Sequence, residues 1–207
     1  QWTCENIHLG KEQLWENLIE FPSIQFGIEI AFQSLVSDNP FILFPSHFTD
    51  NKKSIPINGL VWMGDESYML AQIKEKIETS FHCIKLKIGA IDFEKELQLL
   101  AFIRKHFDAN QIEIRVDANG AFSLNDALDK LVQLSKYKIH SIEQPIAKRN
   151  IEVMRELCKK TPIPIALDEE LIGVFSLNDK EALLQKIKPH YIILKPSFVG
   201  GFKGTQE

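Results

Sequence analysis

Cysteine is scarce in this sequence, and what there is does not form a pattern. Cys4, Cys83 and Cys158 are far apart and odd in number. No C-x-x-C occurs, which removes zinc knuckles and disulfide frameworks, and the composition fits a reducing cytoplasm. No G-x-G-x-x-G follows a strand-like run, and Walker and G-x-S-x-G motifs are absent. Dinucleotide binding, P-loop chemistry and serine hydrolysis therefore lack their marks. No apolar run approaches the roughly 18 residues of a membrane span. The start, Gln1 to Asn6, has no basic stretch followed by an apolar run, so it does not read as a signal peptide. It also lacks an initiator Met, which predicts that this is not the native N-terminus. Charge of one sign is missing too. With 24 Lys+Arg against 28 Asp+Glu the net charge is −4, with no electrostatic footprint for nucleic acid. His8, His47, His82, His106, His140 and His190 are scattered without ligand spacing and read as structural or surface residues.

What is present is ordinary for a globular chain: 44% hydrophobic and 25% charged residues. Residues 11–20 and 23–36 predict two helices, the second opened by Pro22-Ser23. Residues 37–54 break the periodicity with Pro40, Pro45 and polar clusters, and predict a loop or linker. From residue 56 the pattern is regular. β-branched runs at 56–62, 83–88, 112–119, 139–145, 164–169 and 191–197 alternate with amphipathic stretches. In 92–107 the apolar stripe is read as Phe93, Leu97, Leu100, Ala101 and Ile103. A strand–helix pitch of about 27 residues predicts a parallel α/β fold of the (β/α) TIM-barrel type, with a doubly wound sheet as runner-up.

Strands buried on both faces should be almost purely apolar. Five of these are not. Lys85 and Lys87, Asp117, Glu143, Asp168 and Lys195 stand near the C-terminal ends of successive strands. From Lys87 onward the intervals are 30, 26, 25 and 27 residues, one βα unit each. That spacing sets these groups on adjacent strands at the barrel mouth where such enzymes place their chemistry. The side-chain period of two puts Ile84, Leu86 and Ile88 on one face and both lysines on the other, with Asp117 also pointing inward. Three inward carboxylates repel one another unless a divalent cation lies between them, and an all-oxygen set suits Mg²⁺, with Mn²⁺ an option. Taken singly, each residue has an ordinary reading: a solvated edge strand for K-L-K, a turn former for Asp117, a surface acid for Glu143 or Asp168, a surface lysine for Lys195. The joint spacing weighs against five such accidents.

K-L-K (85–87), R-V-D-A-N-G-A-F (115–122), I-E-Q-P (142–145), A-L-D-E-E (166–170) and I-L-K-P-S-F-V-G-G (193–201) together resemble the enolase superfamily. They are most similar to the o-succinylbenzoate synthase family of its muconate-cycloisomerase-like branch. The resemblance begins near residue 22, where F-P-S-I-Q-F-G-I-E-I-A-F-Q-S-L looks like the last helix of that superfamily's capping domain. It implies residues 1–54 as the end of an α+β capping domain plus linker, and 55–207 as barrel units one to six. It further implies an Mg²⁺-dependent lyase that dehydrates a succinyl-hydroxycyclohexadiene carboxylate in menaquinone biosynthesis. Asp117, Glu143 and Asp168 would ligate the metal, which would bind the substrate carboxylate and stabilise the enediolate. Lys87 would be the base, with Lys85 a like charge beside it and Lys195 a cation opposite. Asn119 and Glu169 would orient the site, and Ser197 and Gly200 would contact the small carboxylate substrate. Glu170 departs from the family's more frequent Ser. No nucleic acid or membrane partner is implied. Epimerases, racemases and muconate cycloisomerases share the lysines and acids. From outside the superfamily, a Schiff-base aldolase on Lys87 or Lys195 and a non-catalytic barrel fragment remain alternatives.

Six strands are two short of a closed barrel. The count therefore predicts that the 207 residues are the middle of a chain of about 300 or more, and that an open sheet of this kind exposes an edge.

Overall fold

A computed structural model describes residues 1–207. Along the chain the elements are α1 (Trp2–Glu5), a 3-10 turn (Ile7–Leu9), α2 (Gly10–Asn17), α3 (Pro22–Val36), β1 (Gly59–Val61), α4 (Glu66–Glu78), β2 (Cys83–Lys87), α5 (Phe93–His106) and β3 (Glu113–Asp117). There follow α6 (Ala127–Ser135), β4 (Ser141–Glu143), α7 (Ile151–Lys160), β5 (Ile165–Leu167), a second 3-10 turn (Glu169–Leu171), α8 (Leu177–Ile187), β6 (Tyr191–Ile192), α9 (Pro196–Val199) and α10 (Gly201–Gln206). All six strands run parallel in the order β1-β2-β3-β4-β5-β6. A doubly wound sheet reverses its order at a switch point; this one never does. The succession is that of a (β/α) barrel, with β1 and β6 as the edges of the sheet.

Two compact units divide the chain: residues 1–56, 171–183 and 194–207 form one, and residues 57–170 and 184–193 the other. In the first, Leu14, Leu18 and Ile28 bury one another, with Leu9 and Phe32 packed alongside. Trp15 Nε1 donates to the Gly200 carbonyl at 3.1 Å, and Gln25 Nε2 donates to the Trp15 carbonyl at 2.8 Å. The Glu29 carboxylate accepts from the Phe202 and Lys203 amides, which ties α3 to α10. No helix of the chain is long and apolar enough to cross a membrane.

The sheet belongs to the second unit, and local chemistry sets its helices. Asp65 accepts from the Tyr68 amide and Asp92 from the Glu94 amide, so α4 and α5 start on carboxylate N-caps. α5 then ends on Arg104, Lys105 and His106, cations that suit a helix C-terminus. Its buried stripe is Glu96, Leu99, Leu100 and Ile103 with Leu97, whereas Ala101 is exposed. Of the stripe expected from the sequence, Leu97, Leu100 and Ile103 are buried and Phe93 half-buried; Ala101 gives way to Leu99, because i, i+3, i+4, i+7 counted from Glu96 is the row that is buried. Ile84, Leu86, Ile114 and Val116 are buried, and the side chains between them take the opposite face.

Candidate active site

The register explains how the charged residues meet. Lys87 pairs with Asp117, and Asp117 with Glu143, in one row across β2, β3 and β4. Asp117 is 0% and Glu143 5% exposed, so both carboxylates are removed from water. Lys85 Nζ answers them, at 2.5 Å from Glu143 Oε2 and 3.1 Å from Asp117 Oδ2. Lys87 Nζ stands 2.6 Å from Asp117 Oδ2 and donates to Asn119 Oδ1 at 2.8 Å. Asp117 thus faces two ammonium groups and Glu143 one.

The acidities follow from that inequality. Burial works to raise Asp117, but the Lys87 hydrogen bond and the Lys85 charge hold its carboxyl below the usual range. Burial pushes Glu143 up to about 7; the Lys85 hydrogen bond opposes the rise and the Asp117 charge adds to it. Burial also disfavours the charge on Lys85, yet the Glu143 hydrogen bond and the Asp117 charge outweigh it and hold the ammonium above its ordinary value.

Asp168 directly follows β5 and is 3% exposed. The register partner of Glu143 is Ala166, two residues earlier. Asp168 therefore stands roughly 6.6 Å further along its strand than the Asp117–Glu143 row, the stagger expected of tilted barrel strands. No three His, Cys, Asp or Glu side chains are drawn to a common point. The structure brings Asp117 and Glu143 together on the Lys85 ammonium and sets Asp168 one layer beyond them.

Further out, Asn119 carries the network. Its backbone amide donates to Asp117 Oδ1 at 3.1 Å, and its Nδ2 donates to Glu169 Oε1 at 2.8 Å. Lys87, Asn119 and Glu169 thus form one chain of hydrogen bonds. Glu169 Oε2 is buried without a partner, an acceptor left over in a carboxylate-rich site. An unpaired acceptor, three buried carboxylates and no competing sulfur or imidazole form a donor set that fits a hard divalent cation.

Several working residues escaped the sequence reading. Gln144 is fully buried, and its Oε1 accepts from the Asp168 and Glu170 amides at 3.2 Å each. Its Nε2 donates to the Ile146 carbonyl and to Glu170 Oε2. One amide therefore holds the end of β5 against the end of β4. Glu170, the departure noted above, also accepts from the Arg149 amide at 2.6 Å and so locks the loop after β4. Gly120 has φ +78, and a Cβ there would lie 3.0 Å from the Ala147 backbone, so glycine is required. Trp62, one residue past β1, is 25 positions before Lys87, the same unit spacing run one step back.

Lys195, Ser197 and Gly200 lie in the other compact unit. Lys195 precedes α9, with Nζ 5.8 Å from the Phe198 ring. The Ser197 carbonyl accepts from Ser23 Oγ at 2.8 Å, and Gly200, at φ +98, accepts the Trp15 indole bond.

A family profile described as "Enolase C-terminal domain-like" matches residues 68–207. The chain belongs to the enolase C-terminal domain-like family. Among its curated relatives is the o-succinylbenzoate synthase of Desulfotalea psychrophila, 50% identical over 88% of this chain and 49% of that protein. The L-Ala-D/L-Glu epimerase of Francisella tularensis subsp. novicida is 28% identical over 88% of this chain and 51% of its own. The crystal structure of MenC from Desulfotalea psychrophila superposes with a TM-score of 0.82 at 48% identity, covering 90% of this chain and 51% of that one. The chain thus spans about half the length of these relatives. As a member of this family it has the (β/α) architecture read above, seen here through six strands.

Proposed function

We propose that the protein containing these residues is a lyase that dehydrates a succinyl-hydroxycyclohexadiene carboxylate to o-succinylbenzoate, a step of menaquinone biosynthesis. The observation that carries the reading is the Lys87–Asp117–Glu143 row at one strand-end layer, its two carboxylates bridged by Lys85 from the layer before, on a chain half identical to a relative of that name.

Asp117, Glu143 and Asp168 are the residues that would hold Mg²⁺, or Mn²⁺ in its place. When bound, the dication would supply charge stabilisation to the substrate carboxylate as its α-proton leaves. Lys87 Nζ, in its uncharged form, takes that proton, and the C–H pair delocalises into the carboxylate, from which it forms the ring double bond only as the leaving group departs. The neighbouring C–O bond then breaks, and Lys87 returns the proton to the departing hydroxyl on the same face, so water leaves and the ring becomes aromatic. Lys85, held charged by its two carboxylates, keeps Asp117 and Glu143 in place and sets a fixed positive charge beside the base. Asn119 and Glu169 orient the Lys87 ammonium from the other side. Lys195 is assigned as a second cation for the charge that develops, and Ser197 and Gly200 as substrate contacts; these three rest on the resemblance.

The test is dehydration of the cyclohexadiene substrate by the full-length protein with Mg²⁺ and with EDTA. Turnover that EDTA abolishes is the expected result, and full turnover in EDTA would overturn the metal-dependent reading. The F. tularensis relative brings a second reading, proton exchange at an amino-acid α-carbon. Deuterium incorporation into a dipeptide in D₂O without loss of water would favour it. Borohydride trapping of a keto substrate on Lys87 or Lys195 would instead indicate a Schiff-base enzyme.

A further inference from the structure

Trp62 directly follows β1, whose Val61 pairs with Leu86 of β2. Leu86 and Val61 are both fully buried against the helices. By the period of two, Trp62 therefore shares the inward face with its register neighbour Lys87. Its indole ring centre lies 5.7 Å from Lys87 Nζ. The residue is nonetheless 52% exposed, a large aromatic side chain at the mouth of the site. Its backbone is held firmly. Gln72 Oε1 of α4 accepts from the Trp62 amide, and Gln72 Nε2 donates to the Trp62 carbonyl, each at 2.9 Å. A two-point amide clamp on its backbone fixes in advance the strand end that carries the ring, as a binding wall requires.

The directions around Lys87 Nζ are largely spoken for. Asp117 and Asn119 take hydrogen bonds on one side, and the Trp62 ring flanks another. A reacting carbon that comes within reach of this ammonium comes in beside the indole. We propose that Trp62 is a specificity residue: its exposed face stacks on the diene face of the substrate ring and holds the ring carbon against Lys87. An unsaturated ring offset-stacks on indole, a contact that an acyclic dipeptide does not make. Trp62 thus selects ring carboxylates over acyclic dipeptides. The inference rests on the dehydratase reading and names the part of this chain that recognises the ring.

The test uses the full-length protein with Mg²⁺ and o-succinylbenzoate as a non-reacting probe. Tryptophan emission is followed in the wild type, Trp62→Phe and Trp62→Ala, and dehydration is assayed in parallel. The probe is expected to quench wild-type emission, and Trp62→Phe to lose that quench while binding within about threefold of wild type. Trp62→Ala is expected to bind at least about tenfold more weakly. L-Ala-L-Glu is expected to give no quench. An identical quench in Trp62→Phe, probe binding by Trp62→Ala as tight as wild type, or an equal quench by the dipeptide would each overturn the proposal. A wild type that binds the probe through Trp62 without dehydrating would sink the dehydratase reading and leave this inference standing. A wild type that dehydrates, with KM unchanged in Trp62→Ala, would do the reverse. The Phe variant keeps the proposal testable should the Ala variant fail to fold.

Discussion

Lys85 Nζ stands 2.5 Å from Glu143 Oε2 and 3.1 Å from Asp117 Oδ2, so a single ammonium bridges two buried carboxylates of neighbouring strands. Lys85 therefore has a structural duty besides any part in the chemistry. Removing one partner of a buried ion pair leaves an uncompensated charge, which is strongly destabilising. Lys85→Met is expected to lower stability by about 3–5 kcal/mol in EDTA, read from urea unfolding, and Mg²⁺ is expected to restore part of the loss. A change below about 1 kcal/mol, the range of exposed pairs, would contradict the bridge.

A site that holds Mg²⁺ in the folded state alone makes the melting temperature depend on the metal. At a hundredfold excess over Kd the gain is about 2.7 kcal/mol. Thermal melts of the full-length protein are expected to rise with Mg²⁺ and fall back with EDTA, and Asp117→Asn or Glu143→Gln should lose most of the shift. A wild type that melts at one temperature in both buffers would count against the metal assignment.

Gln144 ties Asp168 and Glu170 to the end of β4 through one buried side chain. Gln144→Ala strands these buried partners, at a penalty of about 1–3 kcal/mol for each group left unsatisfied. The expected outcome is a lower melting temperature together with weaker Mg²⁺ affinity. Loss of stability with unchanged metal affinity would show that the tie does not position Asp168.

Burial pushes the Cys158 thiol up to about 11. Cys83 also rises to about 11, chiefly through burial, with Arg115 opposing and Glu113 adding to the rise. At pH 8 only about one such thiol in a thousand is ionised. Native protein is expected to react with a thiol reagent quickly at the exposed Cys4 and slowly at the other two, all three reacting alike in urea. Because the folded values lie above the unfolded ones, the two thiols favour the fold fully below the ordinary thiol pKa. That contribution fades as pH rises through it toward 11. Rapid labelling of Cys158 in native protein would contradict its burial.

Arg104 serves the opposite end of the strands. Its guanidinium donates to the carbonyls of Tyr137 at 2.7 Å and Ile112 at 2.8 Å, and reaches those of Phe107, Asp108 and Lys138. It thereby staples the approaches to β3 and β4. Arg104→Met is expected to destabilise the chain by roughly 2–4 kcal/mol, since hydrogen bonds to a charged group contribute about 1.5–3 each. Kinetic constants at 20 °C should stay near wild type, which steady-state assays would check.

The charged row was legible because period two fixes which face Lys85, Lys87 and Asp117 take, and because one βα unit separates each from its neighbour. The same period hid Gln144. Next to the inward Glu143 it should point to the helices. Its φ of +38 breaks strand geometry instead and turns the amide toward Asp168. Trp62 obeys the same spacing, but an uncharged aromatic at a strand end does not stand out from an apolar strand. Within α5, Leu99 and Ala101 exchange roles because the buried row is set by contact with the sheet, which local periodicity resolves only to about one residue.

If Lys87 moves the proton in a metal-dependent dehydration, its removal acts on the chemical step and leaves the metal site intact. Single-turnover dehydration by Lys87→Ala in saturating Mg²⁺ tests it most directly. The expected rate is roughly 10²–10⁴-fold below wild type, with the Mg²⁺-induced rise in melting temperature retained; a rate within about threefold of wild type would rule out Lys87 as the base.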